Sequence, residues 1–268
     1  MHTILGAGGA IGVELAKSLI EYTEDIRIVS RNPKRVNESD EIFAANLTHP
    51  AEVNAAVRGS EVVYVTIGFP YKTKVWQALW VPFIDAVIQS CRRHKSKLVF
   101  FDNIYMYQCD HLHGMTETTP IRPTSEKGKV RAQVAQMVEE AHEKGQVDTL
   151  IARAADFLGP YPNSVPYATI IERLKAGKAA QWFGSKDKVH NFTYTPDAAM
   201  ATAVLGNTPD AYGQVWHVPT DSTRLTADDW VQKFAAAFDT KAKTQVLPIG
   251  MMSFLGLFVP VLKEVKEM

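Results

Sequence analysis

The chain has 268 residues, 46% of them hydrophobic and 22% charged, which is enough apolar material for the core of a globular protein. The 29 basic and 29 acidic side chains cancel, so no overall field attracts nucleic acid or an anionic membrane surface. This balance excludes a protein that binds nucleic acid or membranes through its net charge, and it predicts small molecules or other proteins as partners.

The cysteine and histidine content gives no sign of a metal site. Cys91 and Cys109 have no metal-ligand spacing and predict free thiols in a reducing cytoplasm. His111 and His113 lie two residues apart in a loop-like stretch, without the cysteine or carboxylate spacing that would complete a site. The first residues carry no basic region ahead of their apolar run, so no signal peptide is expected. We therefore predict a cytoplasmic protein without a metal.

Short apolar runs alternate with helix-like patterns through the first half of the chain. The runs are rich in β-branched and aromatic residues, as buried strands are, and occupy residues 2–5, 26–30, 61–67, 97–101 and 148–153. The helical patterns between them occupy residues 10–22, 50–57, 75–93 and 126–144. Alternation of this kind predicts an α/β fold with a doubly wound parallel sheet, covered by helices on both faces.

The alternation changes after residue 153. A loop-rich stretch is followed by further elements, which we predict as helices at 167–176, 196–205 and 227–238 and as strands at 189–195 and 214–218. Thr226 is predicted to cap the last of these helices, with Asp228 and Asp229 in its first turn. We assign a first domain to residues 1–155, with 187–218 returning to it, and a smaller substrate-binding region to 156–186 and 219–268.

An apolar stretch of about 14 residues, Ile249 to Leu262, lies near the end of the chain. It contains Pro260 and is shorter than the roughly 20 residues that span a bilayer. We interpret it as either the roof of a substrate pocket or the contact face of a homodimer.

The glycine-rich stretch LGAGGAIG follows the first strand and begins the first helix. Its glycines form a GxxGxxG pattern, and Ile11 stands where a GxGxxG pattern would have its third glycine. Glycine permits the tight turn, the close approach of a pyrophosphate and the packing of the helix on the strand. Amides at the start of the helix then bind phosphate. Between a strand and a helix, this pattern predicts a dinucleotide site formed by Gly6, Gly8, Gly9, Ala10, Ile11 and Gly12.

The end of the second strand indicates which dinucleotide binds. A cofactor without a 2′-phosphate needs a carboxylate about 20 residues after the glycines to hold its ribose hydroxyls. Ser30 occupies that position, and Arg31 follows it. A guanidinium beside a hydroxyl suits a phosphate dianion, so we predict NADP, with NAD as the alternative.

Seven segments together resemble the short-chain dehydrogenase/reductase superfamily, in its extended and atypical branches, which are often labelled NAD-dependent epimerase/dehydratase and include NmrA-like proteins. They are LGAGGAIG, SRNP, VTIGFPY, FFDNIYMYQ, EKGKVRAQ, LIARAADFLGP and FTYTPDAA, and they cover nearly the whole chain. The resemblance implies a Rossmann domain with the cofactor across the carboxyl ends of its strands. It also implies that Asn46 and Leu47 lie beside the adenine, and that Thr66 and Gly68 line the nicotinamide side. Relatives continue beyond Met268, which leaves open whether the chain is complete at that end.

This chain departs from the pattern of those relatives at the catalytic positions. Extended relatives have Ser or Thr at the end of the fifth strand, where this chain has Asn103. They then carry a Tyr-x-x-x-Lys helix, in which the tyrosine transfers the proton and the lysine lowers its pKa and holds the ribose. Pro123 and Ser125 stand four residues before Lys127 and Lys129, so the usual proton donor is absent.

Helical periodicity distinguishes the two lysines. Lys127 shares its helix face with apolar residues and with Arg131 at spacings of three and four, whereas Lys129 lies about 200° away and should face solvent. Lys127 and Arg131 also match the Lys-x-x-x-Arg pattern of atypical members. We predict that Lys127 points inward and contributes to catalysis and cofactor binding; a solvated lysine in the first helical turn is the alternative.

Two tyrosines follow Asn103 at strand spacing. If the chain stays extended, Asn103, Tyr105 and Tyr107 share one side. Tyr107 matches a tyrosine that mostly packs under the loop in relatives, and Tyr105 stands where extended relatives place a substrate-contacting side chain. We predict Tyr105 as the proton donor, with Asn103 orienting the substrate carbonyl; burial of both rings is the alternative.

These residues leave three functions open. The first is an NADP(H)-dependent oxidoreductase that acts on a small carbonyl or sugar-like substrate, with Asn103, Tyr105 and Lys127 as catalytic residues. The second is an epimerase or dehydratase of a sugar-like substrate, against which the missing tyrosine counts. The third is a protein that senses the redox state of NADP without turnover, as regulatory NmrA-like relatives do.

Overall fold

The computed structural model describes residues 1–161 and 164–248. The apolar stretch Ile249 to Leu262, interpreted above as a pocket roof or a dimer face, lies outside the described residues. The chain forms two compact units. The first consists of Met1–Ala154 and Thr195–Pro219, and the second of the described residues within 155–194 and 220–248.

Strands and helices alternate through most of the first unit, as the sequence predicts. Across both units, the strands of the described chain are β1 (His2–Leu5), β2 (Ile26–Ser30), β3 (Glu41–Ala44), β4 (Val62–Val65), β5 (Lys97–Asn103), β6 (Thr149–Ala154), β7 (Asp156–Leu158), β8 (Ala180–Phe183), β9 (Phe192–Tyr194), β10 (Val215–His217) and β11 (Thr244–Leu247). The helices are α1 (Ala10–Leu19), α2 (Pro50–Val57), α3 (Thr73–His94), α4 (Glu126–Glu143), α5 (Glu172–Lys175), α6 (Thr195–Gly206) and α7 (Ala227–Ala237).

The first unit is built on a seven-stranded parallel sheet with the strand order β10-β6-β5-β4-β1-β2-β3. Strand β1 lies inside the sheet, and all four of its residues are buried. Such burial is expected where helices cover both faces of a parallel sheet. Helix α3 packs against both α2 and α4, and α1 packs against α6. The predicted doubly wound parallel fold is therefore confirmed.

The five strands predicted for the first half all form, but the sequence analysis missed β3. Three of the four residues of β3 are exposed and Phe43 is only half-buried, so no continuous apolar run marks this strand. Strand β3 exists because its backbone pairs with β2, from Arg27↔Glu41 to Ser30↔Ala44. Backbone pairing of this kind depends on the neighbouring strand, and side-chain periodicity does not reveal it.

Two helices begin at side-chain caps. Ser125 Oγ accepts a hydrogen bond from the backbone N–H of Gly128 at 3.0 Å, at the start of α4. Thr226 and Asp229 form a reciprocal capping box at the start of α7, which confirms the predicted cap. Within residues 1–161 and 164–248, no helix is long and apolar enough to cross a membrane.

The second unit contains two short parallel strand pairs, β7 with β9 and β8 with β11. A helical segment that begins as a π-helix (Tyr167–Ile171) continues into α5. A small apolar core joins this segment to β8 and α7 and consists of Ile170, Leu174, Ala180, Val231 and Ala235. The sequence analysis assigned residues 187–194 to the first domain. In the structure the chain returns to the first unit only at Thr195, because β9 pairs with β7.

One buried carboxylate joins three elements of the first unit. Asp102, in β5, accepts a hydrogen bond from Arg131 Nε of α4 at 2.7 Å and a second from Nη2 of the same guanidinium. Its other oxygen lies 3.4 Å from Arg153 Nε of β6. All three side chains are at most 3% exposed. Charges removed from water in this way are tolerated only when they are paired and hydrogen-bonded, so the positions of β5, β6 and α4 depend on one another.

We predict that Asp102→Asn lowers the free energy of unfolding by about 3–5 kcal/mol, because it leaves two buried guanidinium groups without their countercharge. Urea denaturation measures this loss. The control is Glu140→Gln, which removes an exposed i,i+4 pair with Lys144 that water screens, so its loss should have little effect. Equal losses in the two variants would contradict the prediction.

Candidate functional site

The glycine loop between β1 and α1 contains two glycines that the backbone requires. Gly6 has φ +100°, and a Cβ atom there would lie 2.4 Å from Cα of Ile67. A Cβ atom at Gly12 would lie 2.6 Å from Cα of Ala7. Both distances are too short for any side chain. Glycine is therefore required at both positions, at Gly6 for the tight turn and at Gly12 for the close packing of α1 against the loop.

The other two glycines leave open space beside the start of α1. A Cβ atom at Gly8 would meet nothing within 4 Å, and one at Gly9 would meet only the carbonyl oxygen of Gly6, at 3.7 Å. Gly9 is the N-cap of α1 and supplies no capping side chain, and the first turn has no acidic residue. The first amides of a helix have no acceptor within the helix, and they carry its positive dipole end. The space beside Ala10 and Ile11 thus suits a phosphate group.

Basic side chains follow the end of β2. Arg31 is exposed, and no side chain in the described part of the molecule pairs with it. Lys34 and Arg35 are also exposed, and Arg35 donates to the carbonyl oxygen of Glu38 at 2.6 Å. Ser30 is half-buried at the last position of the strand. This segment therefore presents positive charge and no carboxylate immediately after β2.

Asn46 and Leu47 have local roles at the entry to α2. Asn46 Oδ1 accepts hydrogen bonds from the backbone N–H and the hydroxyl of Thr48, at 3.2 and 2.9 Å. The backbone N–H of Asn46 donates to Glu52 at 2.6 Å, and the side chain of Leu47 is buried in the core. The local bonds use the acceptor capacity of the Asn46 amide. The predicted contact of Asn46 and Leu47 with adenine stays a prediction.

Thr66 and Gly68 lie in the loop that follows β4. The backbone N–H of Thr66 donates to the carbonyl oxygen of Leu5 at 2.9 Å, so this loop starts beside the glycine loop. Gly68 is exposed, and a Cβ atom there would meet nothing within 4 Å. The two residues lie on the same sheet edge as the glycines, because parallel strands end at one edge. Their role beside the nicotinamide stays a prediction.

The segment after β5 does not continue as a strand. The amide of Tyr105 donates to Asn103 Oδ1 at 3.1 Å, and the amide of Tyr107 donates to the carbonyl oxygen of Ile104 at 3.2 Å. These bonds form a turn, so the alternation expected for Asn103, Tyr105 and Tyr107 is wrong. Tyr105 is half-buried and its ring stacks on Trp76, with centroids 6.4 Å apart. Its role as proton donor stays a prediction, as does the substrate contact of Asn103.

Tyr107 belongs to a buried polar chain. Its hydroxyl accepts from Arg153 Nη1 at 3.0 Å and lies 2.6 Å from His217 Nε2. The arginine can only donate, so the hydroxyl accepts from it, while the tautomer of His217 decides which partner donates in the bond to Nε2. Burial raises the pKa of Tyr107 and lowers the pKa of His217, so both groups stay neutral near pH 7. This arrangement holds the loop after β5 against β6 and β10.

Lys127 points into the first unit. It is 0% exposed, and its Nζ donates to Thr73 Oγ1 at 2.9 Å. The same ammonium lies 4.8 Å from the centroid of the Tyr71 ring. Lys129, two residues later, is 57% exposed and pairs with Glu126. The helical-phase prediction for the two lysines is confirmed, while the part that Lys127 takes in catalysis or cofactor binding stays a prediction.

The family model that matches this chain is that of the NAD dependent epimerase/dehydratase family, over residues 2–218. This chain belongs to that family. The match covers the glycine loop, the sheet and the helix that carries Lys127, which are the parts of the structure described above.

Solved structures of sugar-nucleotide enzymes have the same fold. A UDP-glucuronic acid 4-epimerase from Bacillus cereus in complex with NAD is 16% identical, with a TM-score of 0.80 over 92% of this chain and 87% of that chain. A UDP-glucose 4-epimerase from Thermus thermophilus with NAD is 18% identical, with a TM-score of 0.76 over 92% and 86%. A dTDP-glucose 4,6-dehydratase double mutant from Streptomyces venezuelae is 14% identical, with a TM-score of 0.79 over 92% and 84%. At these identities the likeness shows the fold. No curated protein sequence matches this chain.

In this member of the epimerase/dehydratase family, the residues beside the buried lysine are ones that the sequence analysis missed. Tyr71 and Thr73 come from the loop after β4 and the first residue of α3, more than 50 positions before Lys127. Asp102, which holds Arg131 of the same helix, was missed as well. No local spacing connects these residues to Lys127. The packing of α3 and β5 against α4 brings them together.

We predict that Gly9→Val abolishes nicotinamide-cofactor binding while the protein stays folded, because its side chain enters open space where the pyrophosphate would approach. Fluorescence titration and thermal unfolding measure the two properties. Gly12→Ala is the matched control. Its Cβ meets backbone atoms, so it should lower the free energy of unfolding by about 1–3 kcal/mol. Tight cofactor binding by Gly9→Val would show that the loop has another role.

Proposed function

We propose that this protein is an NADP-preferring enzyme that transfers hydride between its cofactor and the hydroxyl or carbonyl carbon of a small, sugar-like substrate. The observation that carries this proposal is the buried, inward-pointing ammonium of Lys127 in the unit that also contains the glycine loop. Burying a lysine is costly, and a buried lysine beside a candidate phenol favours chemistry over cofactor binding alone.

The first unit supplies a cradle that fits a dinucleotide. The open space beside Gly8 and Gly9, together with the uncapped first turn of α1, suits the two phosphates of its pyrophosphate. Thr66 and Gly68 would line the nicotinamide side. When bound, the nicotinamide supplies or accepts a hydride, which is a hydrogen with its electron pair.

The preference for NADP rests on the residues after β2. The 2′-phosphate of NADP is a dianion, and Arg31 is an exposed guanidinium next to the hydroxyl of Ser30. Lys34 and Arg35 add positive charge to the same segment. The similar structures named above contain NAD, so the preference is inferred from this chain's own charges.

Lys127 gives the site a cation where negative charge develops during such a reaction. When a carbonyl is reduced, the electron pair of the C=O π bond moves to oxygen, and a proton must reach that oxygen to form the alcohol. In the reverse direction, the hydroxyl loses its proton and the oxygen becomes negative. A buried ammonium stabilises a nearby anion more than an exposed one does, because water screens it less. Lys127 can therefore favour proton transfer in either direction.

Two other functions are supported by specific observations. The solved structures with this fold include sugar-nucleotide epimerases and a dehydratase, which favours a reaction that leaves the cofactor unchanged at the end of each turnover. Pro123 stands where relatives have their catalytic tyrosine, which favours a sensor of cofactor redox state. We place the epimerase or dehydratase behind net oxidoreduction because the usual tyrosine is missing, and the sensor behind both because Lys127 is retained beside a candidate phenol.

A substrate panel distinguishes these functions. We expect at least one small hydroxylated carbonyl compound or sugar to be reduced, with NADPH consumed in equal amount, as followed by absorbance. Conversion of a sugar nucleotide with no net change in NADPH would favour the epimerase or dehydratase. Absence of turnover across both classes, with tight cofactor binding, would overturn the enzyme proposal in favour of a sensor.

We predict that NADPH binds more tightly than NADH, and that Arg31→Ala weakens NADPH binding by about 1.5–3 kcal/mol, the scale of a charged hydrogen bond. Binding of NADH should change little, because it lacks the 2′-phosphate. Titration calorimetry measures both affinities. The control is Arg92→Ala, which removes another exposed arginine, in α3. Equal affinities of the unmodified protein for both cofactors would contradict the prediction.

A further inference from the structure

Two tyrosines contact the same buried tryptophan of α3. Tyr71, in the loop before α3, packs edge-on against Trp76, with centroids 5.5 Å apart and an interplanar angle of 83°. Tyr105, in the turn after β5, stacks on it with an interplanar angle of 19°. Both phenols are half-buried, so each combines a fixed ring with partial access to solvent. Tyr71 and Tyr105 are therefore two candidate proton donors at the carboxyl edge of the sheet. The Tyr-x-x-x-Lys pattern before Lys127 offers none, because Pro123 occupies its tyrosine position.

The ammonium of Lys127 lies over the ring of Tyr71. Its Nζ is 4.8 Å from the Tyr71 centroid and is held there by the hydrogen bond to Thr73 Oγ1, two residues after Tyr71. The segment from Tyr71 to Thr73 thus contacts the lysine at both of its ends. A cation this close to a phenol ring favours the ionised form of the phenol, so Lys127 is placed to change the acidity of Tyr71.

The position of Lys127 is itself fixed by buried charges. Arg131, one helical turn later, is bound to Asp102, and its guanidinium lies 4.2 Å from the centroid of Trp80. These contacts tie α4 to β5 and to α3. The distance between Lys127 and Tyr71 is therefore set by three buried elements and not by a surface loop alone.

We propose that Tyr71, and not Tyr105, is the phenol that transfers the proton, and that Lys127 sets its acidity. This inference rests on the proposed function. In the reducing direction, the Oη–H bond of Tyr71 breaks, its electron pair stays on Oη as a phenolate, and the proton goes to the substrate oxygen. Lys127 stabilises the phenolate until solvent returns a proton. In the oxidising direction, the phenolate accepts the proton of the substrate hydroxyl.

This assignment explains how the site works without a tyrosine at position 123. In the Tyr-x-x-x-Lys pattern, phenol and lysine lie on one helix, four residues apart. Here the lysine keeps its place in α4, and the phenol comes from the loop between β4 and α3. The same pair of chemical groups is thus assembled from two elements that are adjacent in space and distant in sequence.

The first test needs no cofactor and no substrate. Tyrosines labelled with carbon-13 at Cζ report their own ionisation by NMR as the pH is raised, and spectra of Tyr71→Phe and Tyr105→Phe assign the two signals. Lys127→Met should raise the pH midpoint of Tyr71, which corresponds to an acid dissociation constant lower by about tenfold or more. Lys129→Met, which removes an exposed lysine of the same helix, should leave that midpoint unchanged. An unchanged Tyr71 midpoint in Lys127→Met overturns the proposal, whether or not the protein has turnover.

The second test uses a substrate identified by the panel. Tyr71→Phe should reduce turnover by about 10²–10⁴-fold, the usual contribution of general acid catalysis. Tyr22→Phe, which changes a 46% exposed tyrosine, is the matched control and should keep full activity. If Tyr105→Phe causes the loss and Tyr71→Phe does not, the proposal is overturned. A protein that shows the Tyr71–Lys127 coupling but turns over no substrate would overturn the proposed function and leave the coupling established.

Discussion

The first unit depends on the carboxylate of Asp102 and the two guanidinium groups that share it. Arg131 comes from α4 and Arg153 from β6, and both are buried with it at the end of β5. Burial works to lower the pKa of Arg153, but Asp102 and Tyr107 outweigh it and raise that pKa, so the guanidinium stays charged. Three charges without water are stable only in one arrangement, because a shift of any element would leave an ion without its partner. The ion cluster thus fixes the position of α4 against the sheet. Because Lys127 lies in the same helix, its buried position is fixed as well.

From Arg153 the same network reaches the loop that follows β5. Arg153 donates to the Tyr107 hydroxyl, which contacts His217 of β10, whose backbone N–H donates to Glu117 at 2.8 Å. That hydrogen bond lowers the pKa of Glu117 and keeps it ionised. The turn that carries Tyr105 is therefore held by two sets of contacts. Tyr107 bonds to Arg153 and His217, and the ring of Tyr105 stacks on Trp76. Together these contacts give a rigid edge of the sheet on which catalytic side chains can be placed, as preorganised sites require.

Much of this unit could be predicted because the determining interactions are local or periodic. Buried parallel strands read as continuous apolar runs, and the inward face of α4 follows from spacings of three and four, which placed Lys127 and Lys129 correctly. Strand β3 was missed because most of its side chains are exposed. The turn at Ile104–Tyr107 was missed because strand alternation was extended past Asn103, where backbone and side-chain hydrogen bonds reverse the chain.

The sequence by itself determined the parallel α/β architecture, the glycine loop at the start of α1 and the inward direction of Lys127. Each of these follows from residues within a few positions of one another. Only the tertiary structure decided that Gly8 and Gly9 border open space while Gly6 and Gly12 are required by packing, and that Tyr71 lies under the ammonium of Lys127. The approach of Ile67 to Gly6 and the bond from Lys127 to Thr73 each join residues more than 50 positions apart along the chain. Local spacing carries no information about such distances, because they are fixed by how the helices pack on the sheet.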